Sequence, residues 1–214
     1  MKKVLIIALV LCFLCGCNYS SNYIDPEDRM IVSSIGVAVY HDSVSCIIEI
    51  NSKEKEGASI YVGEGLSLDT AIKDATDKIS GEIIFSQCPI ILIDDSVNKA
   101  TLEQLFDLCL SRYDFSLSIQ FINADVKDAY NKNTLKSGIG YEILKNVRFT
   151  DNDLKIAEYG RFSNILNDYT NEQHFKIPHL DISNDAFAFD GLSEYVNGVK
   201  TNIIDLRKLK NDNS

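Results

Sequence analysis

The side chains best suited to catalysis or metal binding are three histidines, and their positions argue against both roles. His174 and His179 are five residues apart in a segment predicted to be extended, so their side chains should point to opposite faces of a strand. Histidines on opposite faces do not easily share a metal ion. His41 lies in a predicted turn, so the sequence offers no well-placed histidine for nucleophilic catalysis.

Two short motifs could support other chemistry. Asp94 and Asp95 follow an apolar strand and could act as acid and base or hold calcium, although such a pair more often ends a strand and caps the next segment. The Gly-Glu-Gly segment at 63–65 lacks the later glycine, lysine and hydroxyl of a phosphate loop, so it is interpreted as a tight turn. The sequence therefore predicts no enzyme activity, no metal and no cofactor.

The cysteines fall into two groups. Three crowd the amino terminus and three are far apart, namely Cys12, Cys15, Cys17 and then Cys46, Cys88, Cys109. No Cys-x-x-Cys pair or nearby histidine accompanies the second group, so a zinc site is not predicted. These cysteines lie on apolar segments, which favours buried thiols. One disulfide among them stays open as an alternative.

The amino terminus carries a targeting signal. Lys2 and Lys3 precede an apolar run at 4–14, about half the length that spans a bilayer. The sequence LCGC at 14–17 is similar to a bacterial lipobox, in which a small residue directly precedes the modified cysteine. We therefore predict that residues 1–16 are a lipoprotein signal peptide and that Cys17 carries diacylglycerol. A simple cleaved signal and an uncleaved anchor stay open as alternatives.

The charge balance argues against a nucleic-acid partner and explains why this chain would need an anchor to stay on a membrane. The chain has 21 basic and 31 acidic residues, a net charge of -10, and no basic cluster, so a nucleic-acid partner is not predicted. Removal of residues 1–16 takes away two lysines and leaves -12. Anionic headgroups repel such a chain, whereas the two acyl chains of a diacylglycerol anchor hold it on the membrane.

The elements that must position these residues alternate between strands and helices. Val/Ile-rich strands at 30–40 and 44–50 predict a hairpin, and Asn197-Gly198 predicts a second one near the end of the chain. Further segments are predicted in between: a helix capped by Ser67, a strand at 89–93, a helix opened by Thr101 and Gln104, a strand at 117–122, and helices at 124–130, at 141–147 and from 150 onward. The predicted class is α+β, a mixed β-sheet packed with several α-helices and a C-terminal β-hairpin.

Several motifs follow one another in an order typical of one family. They are IDPEDR at 24–29, IGV at 35–37, GEGLSL at 63–68, IFSQ at 84–87 and RYD at 112–114, all after the lipobox cysteine. This order resembles the C subunit of spore germinant receptors, the GerAC-type lipoprotein family, and mainly its N-terminal domain. Gln87 departs from the family, whose members often carry histidine there. The resulting organisation is a signal peptide at 1–16, a lipidated tether and acidic lead-in at 17–29, a GerAC-like N-terminal domain at 30–206 and a polar tail at 207–214.

The resemblance implies a non-enzymatic, lipid-anchored subunit of a nutrient germinant receptor that acts in spore germination. It would lie on the outer face of the cytoplasmic membrane, the spore inner membrane, against the membrane-embedded A and B subunits. The partner-binding surface is expected to include the charged lead-in residues Asp25, Glu27, Asp28 and Arg29, which lie between the tether and the first strand. The alternative is a free-standing envelope lipoprotein that binds a solute or hydrolyses an envelope substrate.

Overall fold

Parallel strands form the centre of the sheet, and helices cover both of its faces. The computed structural model describes residues 29–51, 57–111, 115–131, 138–149, 156–182 and 187–205. In chain order the elements are β1 (Arg29–Tyr40), β2 (Ser43–Asn51), β3 (Ala58–Gly65), α1 (Leu68–Thr76), β4 (Glu82–Ile84), β5 (Ile90–Ile93), α2 (Lys99–Ser111), β6 (Gln120–Asn123), α3 (Val126–Asn131), α4 (Ile139–Phe149), α5 (Ile156–Gly160), α6 (Phe162–Glu172), β7 (His174–Asp181), β8 (Ala188–Val196) and β9 (Val199–Asp205).

The strands form one mixed sheet in the order β3-β2-β1-β5-β6-β7-β8-β9, with β4 also paired to β1. The neighbours β1, β5, β6 and β7 are parallel, whereas β2 and β3 on one side and β8 and β9 on the other pair antiparallel. All four residues of β5 are buried, as expected for a parallel strand covered on both faces. The predicted α+β class, with a mixed sheet, several helices and a C-terminal hairpin, is confirmed.

Two hydrophobic cores lie on opposite faces of the sheet. The larger core holds buried apolar residues of α1, α2 and α6, and the smaller one holds Val126 and Ala129 of α3 and Ile139 and Ile143 of α4, with Ala157 of α5 at its margin. Aromatic rings fill the larger core, where the Phe106 ring lies 5.6 Å from Phe162 and 5.9 Å from Phe121. The sheet is therefore sandwiched between two helical layers.

Both predicted hairpins are present, and their turns have the expected backbone. His41 and Asp42 link β1 to β2 with φ values of 48° and 66°, and Asn197 and Gly198 link β8 to β9 with φ values of 53° and 75°. Two consecutive left-handed residues match the right-handed twist of an antiparallel pair. Asparagine, aspartate and glycine adopt this conformation at low cost, which explains why these turns could be predicted from local sequence.

The segment at 63–65 is not a tight turn, and that prediction was wrong. Gly63 and Gly65 continue β3, which pairs with β2 as far as Gly65. A β-carbon on Gly63 would overlap the backbone of Ala71 and Ala75, and one on Gly65 would overlap Thr70. These glycines are needed because α1 packs directly on the strand backbone, not because the chain turns.

Helix α1 also covers the exposed edge of β3. The Glu64 amide donates to Asp74 Oδ2 at 3.0 Å, and Lys78 Nζ donates to the Val62 carbonyl at 2.7 Å. Asp74 and Lys78 pair with each other at 2.9 Å. These contacts occupy the outward amide of Glu64 and the carbonyl of Val62, which protects that part of the edge against pairing with another chain.

Three predicted helix and strand boundaries were displaced. Asn98, not Thr101, caps α2, because its Oδ1 accepts the Thr101 amide at 3.0 Å. Strand β6 begins at Gln120, after an exposed turn at 117–118. The helix expected from 150 onward is two helices, α5 and α6, separated at Arg161, whose backbone bridges to Gln120. Residues 150–155 lie outside the described part.

Candidate functional site

The predicted contact residues can be placed only in part. Cys17, Asp25, Glu27 and Asp28 lie outside the described residues. Arg29 begins β1, and its Nε lies 3.7 Å from a carboxylate oxygen of Glu82 in β4. Both side chains are about half exposed, so this ion pair contributes little to stability. Arg29 therefore marks the point where the lead-in meets the amino edge of the parallel strands.

The opposite, carboxyl edge of those strands is where ligands bind in many parallel sheets. Asp94 follows β5 there, and its Oδ1 accepts from the amide and the hydroxyl of Ser96 at 2.9 and 2.6 Å. Its Oδ2 accepts from the amide of Val126, the first residue of α3, at 3.1 Å. The interpretation of Asp94 as a strand-ending cap is thus confirmed.

Asp95 belongs to a polar network that joins the two halves of the sheet. Strands β6 and β7 share a single ladder pair, Asn123 with His179. Asn123 Nδ2 donates to Asp95 Oδ1 at 2.8 Å, and Lys200 Nζ of β9 donates both to Asn123 Oδ1 at 3.0 Å and to Asp95. Ser193 of β8 adds a hydrogen bond to Asn123 Oδ1 at 2.7 Å. The network therefore reinforces a weakly paired seam.

The network also sets the ionisation of Asp95. Partial burial of Asp95 acts to raise its pKa, but the hydrogen bonds from Lys200 and Asn123 outweigh burial, so the pKa lies below its usual value. Asp95 is therefore an ionised structural partner of Lys200. A general acid at neutral pH would need the opposite shift.

A cavity of about 420 Å³ lies beside this network. Its polar lining is acidic and comprises Asp94, Asp95, Asp125, Asp128, His179 and Asp181. His179 Nδ1 lies 2.6 Å from Asp190 Oδ1, while His174 Nε2 lies 2.8 Å from Glu194 Oε1, so the two histidines contact different carboxylates. Within the part of the chain that the structure describes, no three His, Cys, Asp or Glu residues are arranged to hold a metal ion.

Sequence reasoning missed a buried carboxylate on β2. Glu49 is fully buried and accepts hydrogen bonds from the Ser33 and Ser34 hydroxyls at 2.7 and 2.9 Å. The amides of Ile139 and Gly140, at the start of α4, donate to it at 2.6 and 2.9 Å. A glutamate within the apolar strand sequence VSCIIEI was the available signal. A buried carboxylate needs several hydrogen-bond donors, and here the bonds from its amides anchor the start of α4 to β2.

The three cysteines of the folded part are buried and free. Burial raises the pKa of Cys46 and of Cys109 to about 12, and it also raises that of Cys88. Thiols that stay protonated are poor nucleophiles and poor metal ligands. The prediction of buried thiols is confirmed.

Comparison with known proteins identifies the family. A model described as the spore germination protein N-terminal domain matches residues 22–182. No curated protein and no solved structure matches the chain. No helix among the described residues has the length and apolarity to cross a membrane. Because the matched segment covers most of the chain and includes all elements from β1 to β7, the chain belongs to the GerAC-type family of germinant receptor C subunits.

Proposed function

We propose that this chain is a non-enzymatic, lipid-anchored subunit of a nutrient germinant receptor on the outer face of the spore inner membrane. The family match carries this proposal, since the matched domain is described as that of a spore germination protein. The lipobox at 14–17 supports the anchor. The polar clusters around Asp95 and Glu49 support the absence of catalysis, because their side chains are engaged in holding strands and a helix together.

The position of Arg29 supports an orientation on the membrane. Arg29 follows Cys17 by twelve positions, and a chain of that length spans at most about 40 Å when fully extended. Lipidation at Cys17 would therefore keep the amino edge of the parallel strands close to the bilayer. The lead-in residues Asp25, Glu27 and Asp28 would then be presented to the membrane-embedded A and B subunits.

Lipidation is tested by labelling with radioactive palmitate in a spore former. The wild-type chain and a Cys15→Ala control should take up label, and Cys17→Ala should not. Label that persists in Cys17→Ala would show that the lipid is attached to another residue or that the labelling is not specific to one residue.

Assembly is tested by co-purification from spore membranes. The wild-type chain should bring down the A and B subunits, and replacing Asp25, Glu27 and Asp28 together by lysine should weaken that association. A matched control replaces three exposed acids of the folded body by lysine, namely Asp69, Asp107 and Glu158.

Deleting the gene should slow nutrient germination but not germination by dodecylamine. Normal nutrient germination without a redundant receptor would favour a free-standing lipoprotein.

A further inference from the structure

The two edges of the parallel strands differ in charge. At the carboxyl edge, five aspartates line the cavity of about 420 Å³. At the amino edge, a second cavity of about 380 Å³ is lined by hydroxyl and amide side chains, by apolar residues and by Arg161, and its described lining includes no acidic residue. Glu82 and Asp77, which lie at this edge, are paired with Arg29 and Lys73. The carboxyl edge is therefore the more acidic of the two.

Apolar side chains are exposed at the amino edge. Leu117 lies in the turn that leads into β6 and is 53% exposed, and Tyr159 of α5 is 41% exposed. Leu110, in the last turn of α2, is 48% exposed at the same edge, because α2 runs back from the carboxyl end of β5 towards the amino end of β6. The sequence neighbours of Leu117 and Tyr159 line the amino-edge cavity, namely Ser116, Ser118, Ala157 and Arg161. Leu110, Leu117 and Tyr159 therefore give this edge an apolar rim, and exposed apolar side chains that share one surface mark a contact site.

The amino edge is also where the chain arrives from its predicted anchor. Arg29 begins β1 there, twelve positions after Cys17. Strand β1 has 12 residues and is about 40 Å long, which is close to the greatest reach of the segment from Cys17 to Arg29. The carboxyl edge could meet the bilayer only if that segment were fully extended alongside β1, and such extension costs conformational entropy. The amino edge can meet the bilayer without it.

We propose that the amino edge of the sheet rests on the lipid bilayer, with Leu110 and Leu117 in the interfacial region and the Tyr159 ring at the level of the headgroups. Burying leucine away from water is favourable, and tyrosine suits an interface because its ring is apolar and its hydroxyl is polar. Anionic headgroups repel the aspartates of the carboxyl edge, which favours the same orientation.

This inference rests on the proposed lipid anchor, because three side chains would bind a bilayer only weakly by themselves. The anchor makes their contact with the bilayer an intramolecular event, so a weak interaction is enough to orient the folded body. The contact therefore sets the orientation of the body, whereas the anchor sets its membrane association.

The test uses the absence of tryptophan from the chain, which allows a single fluorescent reporter at a chosen position. Leu117→Trp places the reporter at the amino edge. Leu66→Trp is the matched control, because Leu66 follows β3 at the carboxyl edge and is 90% exposed. The full lipidated chain is reconstituted in vesicles of phosphatidylcholine and phosphatidylglycerol, with or without bromine on the acyl chains. Bromine should quench about half of the tryptophan emission of Leu117→Trp and almost none of that of Leu66→Trp, because quenching needs contact with the acyl region.

Leu110→Trp provides a second reporter on a separate element, and it still decides against Leu66→Trp if Leu117→Trp does not fold. Flotation of the vesicles on a density gradient measures the anchor separately, and all three variants should float with the lipid. If they float but Leu66→Trp is quenched as strongly as the amino-edge reporters, or if none of the three is quenched, the orientation is wrong while the anchor stands. Variants that do not float would overturn the anchor and, with it, this orientation.

Discussion

Glu49 and Gly140 are 91 residues apart in the chain and are joined by a 2.9 Å hydrogen bond from the Gly140 amide to Glu49 Oε2. The bond places a carboxylate from β2, the strand next to the edge strand β3, at the amino terminus of α4. Negative charge is favourable there because the first amides of a helix lack partners within it. Gly140 has no side chain at the point where α4 meets Ser33, and a β-carbon would overlap the Ser33 carbonyl.

Glu49→Gln should destabilise the protein by about 2–4 kcal/mol, because the amide group cannot accept all four hydrogen bonds and its NH₂ faces other donors. Urea unfolding followed by circular dichroism measures the change. Glu64→Gln, on the neighbouring exposed strand, is the matched control and should change stability by less than about 0.5 kcal/mol. A loss below about 1 kcal/mol in Glu49→Gln would contradict an anchoring role.

Asp95→Asn should lower the melting temperature at neutral pH but not at low pH. Because the folded-state pKa of Asp95 lies below its unfolded value of about 3.9, its charge stabilises the fold above that pH, and the effect is lost as pH falls through the folded pKa. The side chain is 64% exposed, so we expect a difference of about 1 kcal/mol or less.

Thermal melts of both proteins between pH 7 and pH 2.5 measure this difference. It should be constant down to about pH 5 and shrink below about pH 4. Asp107→Asn, at an exposed position of α2, is the control and should change the melting temperature little at neutral pH. A gap that widens in acid would mean that Asp95 is held protonated, contrary to its pairing with Lys200.

Gly63→Ala should destabilise the protein by about 1–3 kcal/mol or more, because the added methyl group meets the backbone of α1, which cannot move aside as a flexible side chain could. Ser59→Ala on the same strand is the control and should be close to neutral. Equilibrium unfolding again gives the difference. If Gly63→Ala were as stable as the wild type, the close packing of α1 on β3 would be wrong.

Several elements were predictable because their signals act within a few residues. Asn197-Gly198 sets its own left-handed turn, and Ser67 caps α1 through the amide of Thr70, three residues away. The apolar run of β5 predicts a buried strand wherever it lies in the sheet. The lipobox and the ordered motifs indicated the family for the same reason, since both are patterns along the chain.

The remaining features arise from contacts between residues distant in sequence. The glycines of β3 suggest a turn along the chain, and only the packing of α1 on them shows why glycine is needed there. Glu49 is one polar residue in an apolar strand sequence, and its role depends on its hydrogen bond with the distant Gly140. The pairing of Asp95 with Lys200 spans 105 residues. The α+β class, the hairpins and the family follow from patterns along the chain, because short-range propensity and periodicity carry that information. Which polar groups meet depends on the fold, because burial and hydrogen bonding between distant segments are set by how the elements pack.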